Sequence, residues 1–316
     1  MKFRNLDQRI TVPLVLMATF LNFFFIESPY ADEGKKLKIV ATTSTFADIA
    51  SEIGGDHVET TSIAPPRFNV HFIEPRPTDV LRVKRASLFI HAGLDLELWR
   101  GPLVDAAGRA AVRPGGEREL DLSSVIKLLD VPTGPVSRSE GDIHLFGNPH
   151  YWQDPRNGKA IAQGISSKLI EMDPVHKKAY EASLANFISK LELKMSEWTQ
   201  LRSTFRNTEL IAYHNEWVYL TEFLGVEIQY FLEPKPGISP GPKHIEFLRD
   251  YRQERNIPGI VQASYYPKKA SNSLARDTGA SVEVLCQNVS ELESCSSYIE
   301  MLDFNVHSIA GLLGNG

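Results

Sequence analysis

Residues 175–205, VHKKAYEASLANFISKLELKMSEWTQLRSTF, decide the fold of this chain. Apolar side chains recur in this segment at helical spacing, and it contains neither glycine nor proline. The recurring side chains are those of Tyr180, Leu184, Phe187, Ile188, Leu191, Met195, Trp198 and Leu201. A helix of about thirty residues extends roughly 45 Å at ~1.5 Å per residue. Since one domain of this size does not need so long a helix, the segment predicts a helix that bridges two lobes.

Short apolar runs alternate with helical patterns on both sides of this segment. Before it, strands are predicted at 36–41, 58–63 and 87–91 and helices at 46–53, 77–85 and 94–107, followed by a region rich in Pro, Gly and Ser at 113–145. After it, strands are predicted at 209–213, 226–232, 259–263 and 281–285. This alternation predicts an α/β fold in which each lobe is a mainly parallel sheet flanked by helices. The division is an N-terminal α/β lobe (32–173), a linking helix (174–206) and a C-terminal α/β lobe (207–316).

The first 31 residues have the pattern of a secretory signal peptide. Basic residues Lys2, Arg4 and Arg9 precede an apolar run at 10–26. An uncleaved membrane anchor is the alternative, because the run approaches the length of a spanning helix. No cysteine, the residue that carries a lipid anchor, lies near the expected cleavage site at Ala31. We therefore expect an exported soluble protein that is not a lipoprotein.

The composition is that of a mildly acidic globular protein, with a formal net charge of −5 over 316 residues. This length suits two domains that each bury a core. The chain has no basic cluster that would indicate nucleic acid as a partner. The two cysteines, Cys286 and Cys295, would close a short loop in an oxidising compartment. A structural disulfide is favoured, with two free thiols as the alternative.

Residues 147–155, GNPHYWQDP, place an imidazole in a stiff loop. Pro149 and Pro155 each fix a backbone φ and keep the preceding residue out of the helical region. Asp154 is expected to cap a helix that has Pro155 at its first position. A stiff loop that opens a helix can hold His150 at a fixed angle, as a metal ligand requires. An ordinary packed or surface histidine is the alternative interpretation.

Two further histidines lie in equivalent places. His71 and His214, like His150, lie in loops just after a strand or just before a helix. Three imidazole nitrogens and a fourth ligand make a tetrahedral zinc site. His144 is close enough in sequence to serve as a secondary or recruiting ligand, whereas His91 follows a strand and is expected to be structural. The histidines expected to be ordinary surface residues are His57, His176, His244 and His307.

Several motifs, in order along the chain, carry a resemblance to a known family. They are KIVATT at 38–43, HFIEPRPTD at 71–79, HAGLDLE at 91–97, GNPHYWQDP at 147–155, AYHNEW at 212–217 and LARDTGA at 274–280. With these motifs the chain resembles the periplasmic metal-binding proteins of zinc and manganese ABC importers, the cluster A-I substrate-binding proteins. The resemblance covers nearly all of the chain beyond the signal segment.

This resemblance implies two lobes joined by one rigid helix, with the metal held between them. His71 and His150 match the two histidines of the family's N-terminal lobe, and His214 matches its third ligand. A histidine at the third place favours Zn²⁺ over Mn²⁺ as the transported ligand. The implied function is capture of this ion in the periplasm, without catalysis, and delivery to the permease of an ABC importer in the inner membrane. A monomer is expected.

The chain departs from the family pattern at the remaining ligand position. The family usually has an aspartate after the last strand of the C-terminal lobe and often a glutamate after the preceding strand, where this chain has Gln287 and Gln262. The fourth ligand is therefore left open between Gln287, Gln262 and water, with Glu216 and Glu233 as carboxylates from elsewhere. Because the ligating imidazoles must be neutral, binding is expected to weaken as the pH falls through about 6.5.

Two other functions are compatible with the same residues. Three histidines with an open fourth position also form the catalytic zinc pattern, in which bound water becomes a nucleophile. An exported zinc enzyme is therefore one alternative, although the sequence contains no HExxH motif. The other alternative is a family member that has become an adhesin or scaffold.

Overall fold

A computed structural model of the chain describes residues 36–134, 144–202, 205 and 208–314. The predicted signal peptide, residues 1–31, lies outside the described residues. Among the helices of the described residues, none is both long and apolar enough to cross a membrane. Two four-stranded sheets, one on each side of a long helix in the sequence, organise the structure.

The first sheet lies within residues 36–134. Its strands are β1 (Leu37–Ala41), β2 (Val58–Ser62), β3 (Leu88–His91) and β4 (Glu119–Asp121). The accompanying helices are α1 (Ser44–Gly54), α2 (Pro77–Arg85), α3 (Arg100–Ala107) and, further on, α4 (Pro155–Met172). All paired strands run parallel, in the order β2-β1-β3-β4. Strand β3 is buried along its whole length, as expected for a central parallel strand covered on both faces.

The second sheet repeats this architecture. Its strands are β5 (Glu209–Ala212), β6 (Glu227–Phe231), β7 (Gly259–Ala263) and β8 (Ser281–Leu285). The accompanying helices, after the linking helix α5 (Lys177–Arg202), are α6 (Val218–Leu224), α7 (Pro242–Arg255), α8 (Lys268–Thr278) and α9 (Tyr298–Gly314). The strands again pair in parallel, in the order β6-β5-β7-β8. The prediction of two α/β lobes joined by one long helix is confirmed, while the predicted boundaries at 173/174 and 206/207 stay predictions.

Helix α5 is shorter than the sequence predicts. It begins after a 3-10 turn at Pro174–His176 and ends at Arg202, whereas the predicted helix runs to Phe205. The amide N–H of Phe205 donates instead to the carbonyl of Arg202, and the Phe205 side chain is 2% exposed. Burying such a side chain contributes about 1.5–3 kcal/mol, which stabilises Phe205 in this position.

Two other predictions for the N-terminal lobe were wrong. The predicted helix at 94–107 begins only at Arg100, because Leu94 and Asp95 have positive φ angles that a right-handed helix excludes. The region at 113–145, for which the composition rich in Pro, Gly and Ser predicted no strand, contributes β4 to the sheet. Its short strand has no apolar run, since Leu120 is the single apolar residue between Glu119 and Asp121.

The two lobes are joined by hydrogen bonds between α1, the loop at 150–154 and the segment from Cys286 to α9. The Tyr298 hydroxyl donates to the Trp152 carbonyl (2.7 Å), and the Trp152 indole N–H donates to the Gln287 carbonyl (2.8 Å). Gly158 of α4 allows this approach, because a Cβ at that position would overlap the Tyr298 hydroxyl. Cys286 and Cys295 form a disulfide, as the sequence favoured.

Asp48 of α1 caps α9 and is expected to make the stability of the protein depend on pH. Its carboxylate accepts a hydrogen bond from the Tyr298 amide (2.8 Å), and burial raises its pKa to about 6. Between pH 3.8 and about 6, the Asp48 carboxyl is therefore protonated in the folded state and ionised in the unfolded state. Because of this difference, the free energy of unfolding decreases as the pH rises through this window. In Asp48→Asn, which keeps the capping oxygen, we expect this loss, on the order of 2–3 kcal/mol, to disappear.

Urea unfolding of the parent and of Asp48→Asn at pH 4, 5, 6 and 7 measures the effect. The difference between the two free energies should change in favour of the variant as the pH rises. Parallel pH profiles would show that Asp48 does not titrate in this window.

Candidate metal centre

His71 lies in a loop that follows β2 and is fixed by its neighbours. Asn69 Oδ1 accepts a hydrogen bond from the His71 amide (3.0 Å), and the buried Val70 carbonyl accepts one from the Trp99 indole (2.7 Å). These bonds hold a 3-10 turn at Val70–Phe72, with His71 at its centre. The imidazole therefore projects from an anchored turn at the carboxyl end of the first sheet, where ligand loops gather in parallel sheets.

His150 is held by the stiff loop that the sequence identifies. Asn148 Oδ1 accepts from the His150 amide (3.0 Å), and Tyr151 donates its hydroxyl proton to the Ala92 carbonyl (2.8 Å). Asp154 caps α4 by accepting a hydrogen bond from the Arg156 amide, as predicted. The His150 side chain is almost fully buried, so its position depends on the packing of both lobes.

His214 belongs to the second lobe and follows β5. Its Nδ1 forms a hydrogen bond of 2.9 Å with Glu233 Oε2, and Glu233 also accepts a bond from the Gly237 amide. A carboxylate at Nδ1 fixes the imidazole orientation and leaves Nε2 for another partner. Glu233, one of the carboxylates proposed as a ligand from elsewhere, therefore orients His214 in this structure.

The structure brings the three predicted histidines together. The Nε2 atoms of His71 and His150 are 3.3 Å apart, and their ring centroids are 5.2 Å apart. The His214 ring centroid lies 5.7 Å from each of the other two centroids. Residues separated by up to 143 positions in the sequence thus converge in one cluster between the lobes.

A fourth imidazole, His144, belongs to the same cluster. One nitrogen each of His71, His144 and His150 lie within 4.8 Å of one another, and the rings of His71 and His144 are 5.0 Å apart. Asp95 Oδ1 lies 2.8 Å from His144 Nδ1 and orients the ring as Glu233 orients His214. From the sequence, His144 was expected to be only a secondary or recruiting ligand. Its short separation from His150 was the one signal available, since the partner Asp95 is distant along the chain.

Of the residues proposed for the fourth position, Gln287, Gln262 and Glu216 do not present an oxygen to this cluster. Gln287 places its amide nitrogen 2.9 Å from His150 Nδ1, and its side-chain oxygen accepts from Gln153. Gln262 donates to the Tyr266 carbonyl (3.3 Å), and Glu216 is buried and accepts from the Tyr265 hydroxyl. In the described residues, the nitrogen that lies within 4.8 Å of nitrogens of both His71 and His150 belongs to His144.

The environment keeps His71 and His150 uncharged. Burial, followed by the nearby His214 and His144 rings, lowers the pKa of His71 well below its ordinary value. Burial, followed by the other three imidazoles, has the same effect on the pKa of His150. Both rings are consequently neutral at pH 7, and neutral imidazole is the form that binds metal ions.

A cleft beside the cluster connects it to the surface. It has a volume of about 280 Å³, and its lining includes His144, Asn148, His214 and Glu233. These residues come from both lobes, so the cleft lies at their junction. A path for a small ion therefore reaches two of the four imidazoles.

His91 has the structural role expected from the sequence pattern. It is fully buried, and its Nε2 lies 2.6 Å from Glu119 Oε1. Asp121 completes a group of three possible ligands, but Arg100 lies 3.9 Å from the same Glu119 oxygen. The guanidinium compensates the carboxylate charge that a cation would otherwise neutralise.

A model of the family described as "Zinc-uptake complex component A periplasmic" matches residues 39–311 of the chain. The chain belongs to this family. The manganese ABC transporter substrate-binding lipoprotein PsaA of Streptococcus anginosus is 26% identical over 292 residues, which cover 89% of this chain and 90% of PsaA. The iron-binding protein YfeA of Yersinia pestis is 24% identical over 290 residues, which cover 90% of this chain and 88% of YfeA.

A solved structure has the same fold. The SBP FpvC from Pseudomonas aeruginosa in complex with Mn²⁺ superposes with a TM-score of 0.74 at 20% identity, covering 89% of this chain and 99% of that chain. Family membership makes this chain a metal ABC transporter substrate-binding protein, which implies a permease and an ATPase as partners.

The relatives correct the predicted localisation. The sequence analysis excluded a lipoprotein because no cysteine lies near Ala31. PsaA and several other relatives are named substrate-binding lipoproteins, so the prediction of a periplasmic protein that is not a lipoprotein was wrong. The absence of one residue type from a segment outside the described residues is too little to decide membrane attachment.

Tyr219 gives a prediction for the loop that carries His150. Its hydroxyl accepts from the Leu129 amide (3.0 Å) and donates to the Asn148 carbonyl (2.8 Å). Tyr219→Phe leaves both backbone groups without this partner, and each such loss costs about 1–3 kcal/mol. We expect the free energy of unfolding to fall by roughly 2 kcal/mol.

Urea unfolding at pH 7 measures this loss. Tyr230→Phe, which removes a hydroxyl from a partly exposed ring in the second lobe, is the matched control and should change stability by less than about 0.5 kcal/mol. Equal stabilities of the two variants would contradict the assigned role.

Proposed function

We propose that the protein captures one divalent transition metal ion between its lobes, Zn²⁺ in preference to Mn²⁺, and delivers it to the permease of an ABC importer. His71, His150 and His214 act as ligands. The protein works as a monomer and catalyses no reaction. The observation that carries this proposal is the 3.3 Å distance between the Nε2 atoms of His71 and His150. Two nitrogens that each lie ~2.0–2.1 Å from a tetrahedral zinc ion are about 3.3–3.4 Å apart.

His144 is our choice for the fourth ligand, in place of Gln287, Gln262 or water. A nitrogen of His144 lies within 4.8 Å of nitrogens of both His71 and His150, and Asp95 already orients its ring. Ligating histidines in proteins usually have a carboxylate or carbonyl at the second ring nitrogen, as His144 and His214 do here. Four neutral imidazoles do not compensate the charge of the ion, so these outer carboxylates have to compensate it.

The preference for zinc follows from the type of ligand. Imidazole nitrogen suits Zn²⁺, whereas Mn²⁺ is bound best by carboxylate, carbonyl and water oxygens. This chain has the amides Gln287 and Gln262 at the two positions where the family has carboxylates. The names of the relatives include manganese and iron, so the selectivity is argued from the ligands of this chain alone.

Release is proposed to begin at the exposed side of the site. His150 and His214 are 1% and 7% exposed, and the neighbouring lobes fix them. His71 and His144 are less buried, and their loops carry the exposed side chains Phe72 and Phe146. Small tilting of the lobes combined with movement of these two loops would free the ion without wide opening.

Calorimetric titration of chelator-treated protein with Zn²⁺ and with Mn²⁺ tests the proposal. We expect tighter binding of Zn²⁺, and a loss of at least about 100-fold in Zn²⁺ affinity for His71→Ala and His150→Ala, which corresponds to ~2.7 kcal/mol. The reason is that each substitution removes one of the two nitrogens that define the tetrahedral edge.

His307→Ala is the control, because His307 lies on the exposed face of α9 and should leave the affinity unchanged. Parental zinc affinity in both site variants would place the site elsewhere. Tighter binding of Mn²⁺ than of Zn²⁺ by the parent would overturn the metal preference alone.

The pH dependence of binding should differ from that of ordinary histidines. Protons compete with the metal only below the pKa of the free imidazoles, and burial lowers the pKa of both His71 and His150 well below 6.5. Proton competition at these two ligands should therefore reduce the affinity only at pH values below 6.5, which revises the midpoint of about 6.5 expected from unperturbed imidazole.

Zinc dissociation constants at pH 5.0, 5.5, 6.5 and 7.5, from competition with a chelator of known proton affinity, measure the profile. A fall in affinity that is half complete at pH 6.5 or above would contradict the predicted shift.

A further inference from the structure

A chain of three buried amide side chains connects the backbone of Cys286 to His150. The amides belong to Asn305, Gln153 and Gln287, and each is fully buried. An amide nitrogen only donates hydrogen bonds and an amide oxygen only accepts them. When such amides are hydrogen-bonded in series, the orientation of the first amide therefore determines the orientation of each following amide.

The backbone of Cys286 sets the orientation of Asn305. The Cys286 amide N–H, which can only donate, lies 2.8 Å from Asn305 Oδ1. The Cys286 carbonyl, which can only accept, lies 2.8 Å from Asn305 Nδ2. The side-chain amide of Asn305 cannot be reversed without losing both bonds. Its nitrogen therefore faces the side-chain oxygen of Gln153, at 3.2 Å.

Gln153 has its orientation fixed a second time, independently of Asn305. Its Nε2 points at the carbonyl of Gln287 (3.0 Å) and lies 3.3 Å from the carbonyl of Cys286. The same nitrogen donates to the side-chain oxygen of Gln287. Both neighbours thus require the nitrogen of Gln153 on the side of Gln287.

The orientation of the Gln287 amide determines which nitrogen of His150 carries the proton. Because its oxygen accepts from Gln153, its Nε2 faces His150 Nδ1, at 2.9 Å. An amide nitrogen can only donate, so His150 Nδ1 has to accept. A neutral imidazole has one protonated and one unprotonated nitrogen, and the proton of His150 is therefore on Nε2. That nitrogen lies 3.3 Å from His71 Nε2 and donates to it.

This tautomer is the opposite of the one that metal binding through Nε2 requires. A metal needs the lone pair of Nε2, which moves the proton of a neutral imidazole to Nδ1. At His150 the Nδ1 proton would then face the amide protons of Gln287. His214 and His144 differ, since Glu233 and Asp95 accept from their Nδ1 atoms and leave Nε2 unprotonated.

We propose that Gln287 is a positioning residue that holds metal-free His150 in the Nε2–H tautomer, so that an ion binds only after the Gln287 amide turns or withdraws. This inference rests on the proposed function, in which His150 Nε2 is a ligand. Gln287 then weakens the site and stabilises the metal-free state, because binding breaks its bonds to Gln153 and His150. The glutamine at this position sets the affinity without itself contacting the ion.

The ¹⁵N chemical shifts of His150 in metal-free protein at pH 7.5 test the tautomer directly. Its signals are assigned by their absence in His150→Ala. We expect the Nε2–H form in the parent and the Nδ1–H form in Gln287→Glu, because a carboxylate accepts both from Gln153 and from His150 Nδ1. The control Asn288→Asp adds a carboxylate one residue away and should keep the parental tautomer. The Nδ1–H form in the parent, or no change in Gln287→Glu, would overturn the proposal.

Zinc titration of the same proteins tests the effect on binding. Gln287→Glu should bind Zn²⁺ about 10–100-fold more tightly than the parent, the range typical of groups that contact a ligating histidine. Gln287→Leu removes the donor without adding charge and should also bind more tightly. A gain in Gln287→Glu no larger than in Asn288→Asp, or weaker binding by a folded Gln287→Leu, would overturn the role of this hydrogen bond.

These outcomes separate the inference from the proposed function. Parental zinc affinity in His150→Ala would refute the ligand role of His150, whereas the tautomer is read in the absence of metal. Thermal unfolding establishes that each variant is folded, and Gln287→Glu, which preserves shape, decides the question if Gln287→Leu does not fold.

Discussion

The arrangement of the two lobes depends on hydrogen bonds to the backbone of Cys286 and Gln287. The carbonyl of Gln287 accepts hydrogen bonds from the side chains of Trp152 and Gln153, which belong to the loop of the N-terminal lobe. All these groups are buried, and a buried polar group left without a partner costs about 1–3 kcal/mol. The lobes therefore have one favourable register relative to each other. His150 lies two residues before Trp152, so the same bonds that join the lobes also position a candidate ligand.

The fold could be predicted largely because its strands are short and alternate with helical patterns. Strands β7 and β8 were predicted with the bounds that the structure has, and β7 is buried along its whole length. The errors came from segments where local pattern and tertiary structure disagree. Strand β4 has one apolar residue and is defined by pairing with β3, and the 94–107 segment looks helical until the positive φ angles at Leu94 and Asp95 are known. Such features depend on contacts that a single sequence does not contain.

The candidate site was predictable to the extent that its residues lie in recognisable loops. His71, His150 and His214 were selected from loop position and motif, and the structure brings them together. The importance of His144 and the role of Gln287 were not predictable. The first depends on Asp95, which is remote in the sequence, and the second depends on the direction of a hydrogen-bonded chain through three separate segments. Residue identity indicates which groups could bind a metal, whereas the protonation of each nitrogen depends on neighbours that only folding supplies.

The single helix and the buried bonds between the lobes have a consequence for the energetics of transport. Helix α5 is anchored by the buried side chains of Tyr180, Phe187, Leu191 and Trp198, and the lobes share the Tyr298 and Trp152 contacts. Wide spontaneous separation would break these contacts together, so thermal fluctuation alone rarely empties such a site. Under the proposed function, docking to the permease would then have to lower the barrier to unloading. An ion held between the lobes would thereby be kept from leaking back into the surroundings before the protein docks.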